Sequence, residues 1–241
     1  ESINVEKSLA DINVILNETS SGLANFGNAL FEVAKNTGNT FTEVAKAATE
    51  LSRQGLSAQE TLKRTQDALV LTRLSGLDAA KAVEALTASI NSFSKEGLDS
   101  TKIINTLAAV DAKFAVSSGD LAEAVSRAGS SAQDAGVSFN ELISLVTAAQ
   151  QTTARGGAVI GNAFKSIFTR IQRSDTLDQL EELGIAVRDV AGNTLPATKI
   201  LESLGRSIDS LSDSQRSFVT ELVGGVYQIN ILKAGVNDLS K

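Results

Sequence analysis

The sequence contains no cysteine, histidine, methionine or tryptophan, and only one proline and one tyrosine in 241 residues. Without cysteine there is neither a disulfide framework nor thiolate chemistry. Without histidine the usual neutral-pH base and the commonest metal ligand are missing. Aromatic residues make up only 4% of the chain, which leaves little with which to stack nucleic-acid bases. No apolar run approaches the ~20 residues that a membrane-spanning helix needs, and no basic-then-apolar signal peptide opens the chain. The first residue is Glu1, so the sequence reads as a segment of a longer chain.

Ala, Leu, Ser and Thr dominate what is present. Small side chains permit close helix contacts, and a near absence of proline leaves helices uninterrupted. The expected fold class is all-α: an array or bundle of short helices with glycine C-caps, preceded by a longer heptad-patterned helix. Two domains are expected, a coiled-coil-like helix over 1–37 and a helical core over 38–241.

In the first of these, Val5, Leu9, Ile12, Leu16, Thr19, Leu23, Phe26, Leu30 and Val33 follow a 4-3-4-3 spacing. Such a 3.5-residue period keeps a narrow seam facing a partner helix. Two readings fit: an amphipathic helix lying on the core, or a self-association seam made of Leu9, Ile12, Leu16, Leu23, Phe26, Leu30 and Val33.

Beyond Gly38 a device recurs: a glycine, one aliphatic residue, then a helix N-cap. It appears as Gly55-Leu56-Ser57, Gly76-Leu77-Asp78, Gly97-Leu98-Asp99 and Gly136-Val137-Ser138. Glycine at C′ accepts the left-handed conformation, and Ser or Asp caps the next helix. Ser57 with Glu60, and Ser138 with Glu141, have capping-box spacing. The first three devices lie 21 residues apart, a short series of similar helical units. Farther on, Ile185 to Val190 and the turn signal Gly192-Asn193 admit a small β-hairpin near 185–195. Pro196 opens the next helix, and the last helices run from Ser212 to Val223 and from Val226 to about Ala234.

The helix after Arg155 is unusual. Gly157 and Gly161, four apart with Ala154 and Ala158 nearby, leave one face almost without bulk, suited to close helix packing. The same region is basic in an acidic chain. Net charge is −6, yet no acid lies between Glu141 and Asp175, where Arg155, Lys165, Arg170 and Arg173 stand. These cations would contact either an acidic partner wall or phosphates, or be neutralised by the acidic helix that begins at Asp175.

Catalysis needs a base, nucleophile or metal in set geometry. No G-x-S-x-G elbow or phosphate loop occurs, and Glu181-Glu182 read as solvated helix surface. The chain is expected to be neither an enzyme nor a cofactor or metal carrier, and no catalytic residue is named.

Ala135-Gly136-Val137, Glu141, the Gly157/Gly161 helix ending in Arg170-Ile171, Leu183-Gly184-Ile185, Gly192 and Pro196 occur in this order. In that order they resemble the core region of phage tail tape-measure proteins, over roughly residues 37–241. The resemblance implies a mostly helical protein of the tail lumen that sets tail length and leaves ahead of DNA at injection. It implies the tail tube protein, tail-tip or baseplate hub proteins and tail assembly chaperones as partners, and a homo-oligomer, trimer included. It places the protein in the virion and, during assembly, in the host cytoplasm. Membrane contact is expected only during ejection, and specific nucleic-acid binding is not expected. The competing reading is a non-catalytic helical adaptor that docks a partner protein through the heptad seam.

Overall fold

A computed structural model describes residues 2–225 and 230–234. Among these residues the chain forms twelve α-helices with both ends described, a further helical stretch at 230–234, and no strand. They are α1 (Ser2–Leu16), α2 (Ser20–Thr37), α3 (Phe41–Ser52), α4 (Ala58–Ser75), α5 (Ala79–Ser92) and α6 (Ser100–Asp111). Then follow α7 (Ser118–Asp134), α8 (Phe139–Thr153), α9 (Gly157–Ile171), α10 (Ser174–Glu182), α11 (Ala197–Ser207) and α12 (Asp213–Gly224). Single 3₁₀ turns at Ser94–Glu96 and Ile208–Ser210 complete the order. Residues 230–234 are helical, whereas 226–229, where the sequence starts its last helix, lie outside the described residues.

The helix boundaries follow from local chemistry. Gly76 adopts φ 69° at the end of α4 and returns its N–H to the Thr72 carbonyl, a conformation an L side chain resists. Two residues later Asp78 accepts from the Lys81 N–H at 2.9 Å, starting α5. Ser57 and Ser138 form the full reciprocal box with Glu60 and Glu141. Thr40–Glu43 and Ser212–Gln215 repeat it.

The long heptad-patterned helix expected over the first 37 residues is broken. Asn17 takes φ 52° and Thr19 caps a new helix by accepting from Gly22 N–H, so α1 and α2 are separate. The seam is used within the chain. Ile12, Phe26, Leu30 and Val33 are buried with Val44, Ala48 and Leu69 from α3 and α4. Leu9 and Leu16 pack against that cluster, and Leu23 is half-buried. Once the chain turns back at Asn17, a stripe that looks like an intermolecular seam has an apolar partner on the next two helices.

The boundary expected at residue 37 is displaced for the same reason. One unit comprises Glu1–Thr87 with Asp99–Ala108, the other Ala88–Leu98 with Ala109–Lys241, so the division falls inside α5 and α6. In the first unit α1 lies on α3, and α2 on α4. In the second, α7 and α9 form the most extensive helix pair, flanked by α8 and α12. The expected hairpin is reduced to one antiparallel bridge, Arg188 with Thr194, its turn pinned by the Asp189 carboxylate accepting from Ala191 and Asn193 N–H.

Candidate functional site

The second unit holds the residues that set this chain apart. Its centre is the crossing of α7 and α9. A Cβ added to Gly161 would stand 2.8 Å from both Cα and O of Ala124, and one on Gly157 would stand 2.0 Å from the Asp120 carbonyl oxygen. The bare face of α9 is therefore occupied by the backbone of α7. Two turns farther along the same face Phe164 and Phe168 supply bulk, their rings stacked at 5.7 Å between centroids, and with Ile160, Ile167 and Ile171 they are all buried.

α9 has no side-chain cap of its own. Asp120 supplies one from α7: its Oδ1 accepts from Gly157 N–H at 2.7 Å, while Oδ2 accepts from Ser117 Oγ at 2.8 Å. Gln150 accepts from the neighbouring Gly156 N–H at 2.9 Å. A carboxylate at a helix N-terminus also meets the positive end of the helix dipole. The Ser117-x-x-Asp120 spacing advertises the first role of Asp120; its second, across 37 residues, had no sequence signal.

A second junction lies where α7 ends and α8 and α11 begin. Gly136, at φ 70°, would place a Cβ 3.3 Å from Pro196, and the Ala135 carbonyl accepts from Ala197 N–H at 2.8 Å. Glu141 accepts from Ser138 N–H and Oγ at 2.8 and 2.7 Å, and from Thr198 Oγ1 at 2.9 Å. Burial pushes the Glu141 carboxyl up, but these hydrogen bonds and the charge of Lys199 outweigh it and hold the group below its ordinary value. The scattered Ala135-Gly136-Val137, Glu141 and Pro196 are thus one structural joint.

The basic residues of the window are exposed, but they are not one patch of equals. Arg173 pairs with Asp175 at 3.0 Å, both more than half exposed, a pair of small energetic worth. Arg170 lies over the C-terminal cap of α12, its Cζ 3.3 Å from where a Gly225 Cβ would stand. Among the described residues Arg155 and Lys165 make no ion pair. The acids of α10 meet a cation that sequence reasoning missed: Arg188 reaches Asp178 at 3.1 Å and Glu181 at 3.6 Å. Arg188 sits on the hairpin excursion, ten residues from Asp178, where no helical spacing connects the two.

In the first unit the exposed Phe31 stacks on Phe41 at 4.2 Å beside a groove of about 710 Å³ that Lys35, Val5 and Glu6 also line. Among the described residues no three His, Cys, Asp or Glu gather as a metal site, and no helix is long and apolar enough to cross a membrane.

A family model described as phage-related minor tail protein matches residues 27–224. The chain is also similar to a tape measure protein of Pneumococcus phage Dp-1, 21% identical over 211 residues that cover 87% of this chain. It spans only 18% of the length of that relative.

Proposed function

The chain belongs to the phage-related minor tail protein family, and from that premise we propose that it is a segment of a tape-measure protein, built into the tail to set its length. The single observation that carries this reading is the family match across 27–224, which spans both helical units. The family points to a structural rather than catalytic role in the virion.

In this reading the segment occupies the lumen of the tail tube with sibling copies, three being the number the resemblance implies. It engages the tube protein, the tip or hub proteins and the assembly chaperones, and leaves ahead of DNA at injection. Arg155 and Lys165, exposed and outside the fold's own ion pairs, are the cations left over for a tube wall or phosphate. Arg170 and Arg173 have uses inside the fold. A folded helical unit suits a narrow lumen poorly, so the segment either lies near a tail end or is drawn out there into longer helices. The adaptor reading loses its surface, because the heptad seam is spent on α3 and α4.

The test is an in-frame deletion of Leu56–Gly76, one 21-residue unit, in a phage that carries this chain. An extended ruler shortens the tail by about 30 Å, at 1.5 Å per helical residue. Tails of unchanged length would remove the ruler role and leave only a tail component.

A further inference from the structure

We propose that α5 and α6, with the turn between them, form a clasp that makes the two units melt as one. Its tip is Ala88–Leu98, and withdrawing the tip frees each unit to melt by itself. The chain passes from one unit to the other three times, after Thr87, Leu98 and Ala108. Separate domains are ordinarily joined by an exposed linker that few contacts cross, and they melt independently. Here the passes after Thr87 and Ala108 lie inside α5 and α6. Unwinding a helix in its middle forfeits hydrogen bonds to either side of the break, so neither pass acts as a loose linker.

Different side chains hold the base of the clasp and its tip. At the base, within the first unit, Thr87 Oγ1 accepts from Gln54 Nε2 at 3.0 Å. Lys63 Nζ donates to Thr101 Oγ1 at 2.9 Å and to Ser100 Oγ at 3.3 Å, and Ser100 Oγ donates to the Asp67 carboxylate. These bonds tie the base to α4 and to the turn after α3.

Within the second unit the tip is set against α7 and α8. Phe93 is fully buried, its ring edge-on to Phe139 at 5.5 Å between centroids. A Cβ on Gly129 would stand 2.9 Å from Ser92 Oγ and 3.4 Å from Phe93 Cε2, so α7 has a glycine where the tip lies on it. Glu96 Oε1 accepts from Phe139 N–H at 2.9 Å, one of the amides that the first turn of α8 leaves without a helical partner. The buried cluster of the first unit, built on Ile12, Phe26, Leu30, Val44, Ala48 and Leu69, contains no residue of the tip. The tip is therefore the place where the coupling breaks while that cluster stays whole.

The inference stands apart from the tail role, and its test needs no phage. Amide hydrogen exchange of the full chain in rising denaturant, read by mass spectrometry, follows α3 for the first unit and α9 for the second. In the parent both are expected to open at one denaturant midpoint. Leu204→Ala, a buried position of α11, should raise exchange in α3 by the same factor as in α9. Gly129→Val with Phe93→Ala expels the tip. The two midpoints should then separate, and Leu204→Ala added to that pair should raise exchange in α9 alone. A tip variant whose second unit fails to fold while α3 stays protected supports the proposal equally. Two midpoints in the parent, or a Leu204→Ala effect confined to α9 there, overturn it. So does a tip variant in which α3 and α9 still open, or are lost, together.

Discussion

Asp120 and Gly157 hold each other at two points: the Asp120 carboxylate accepts from Gly157 N–H at 2.7 Å, and the Asp120 carbonyl fills the space where a Gly157 Cβ would be. Neither contact tolerates a change in the other. Gly157→Ala, forced against backbone rather than a flexible side chain, is expected to cost about 3 kcal/mol or more. Asp120→Ala, which removes the cap of α9 and the acceptor of the Ser117 hydroxyl, costs about 1–3 kcal/mol. Chemical denaturation of each single variant and of the pair reads both values. If Gly157→Ala melts with the parent, α7 and α9 do not pack as described.

The first unit gives a prediction about the heptad stripe. Leu30 is fully buried among α2, α3 and α4 residues, so Leu30→Ala should cost about 2–5 kcal/mol at any protein concentration. Val14, on α1 but 85% exposed, should accept Lys within about 0.5 kcal/mol. A loss at Leu30 that fades on concentrating the protein would return the stripe to an intermolecular role.

Acid should loosen the joint at Glu141. Its folded-state pKa lies below the unfolded one, so the stabilisation is complete above about pH 4.3 and is lost as pH falls through the folded value. Melting temperature is therefore expected to drop below about pH 4.3. Glu141→Gln should start lower but fall less steeply, and Thr198→Ala should weaken the depression of the Glu141 pKa. Identical slopes for parent and Glu141→Gln would show that other carboxylates govern acid unfolding.

Arg155→Glu with Lys165→Glu should leave thermal stability within about 0.5 kcal/mol, since both side chains are exposed and outside the described ion pairs. Tail assembly in a phage carrying the double variant should nevertheless fail or slow. Normal tails would remove these two cations as contacts of the tube wall or of phosphate.

The sequence by itself determined that the chain is helical and where most helices stop. Those features are written in local code: the reciprocal boxes at Ser57 and Ser138, the left-handed glycines, and a proline at the start of α11. Tertiary structure alone decided which apolar stripe meets which. The 4-3-4-3 spacing from Val5 to Val33 describes a seam equally suited to a sibling helix or to α3 and α4, because periodicity fixes the direction of a stripe and not its partner. The turn at Asn17 chose the second. For the same reason the carboxylates of Asp120 and Glu141, readable as ordinary caps, gave no sign that each also fastens a helix far along the chain. A hydrogen bond between distant residues leaves no spacing behind in the sequence; only the packed backbone brings its two ends together.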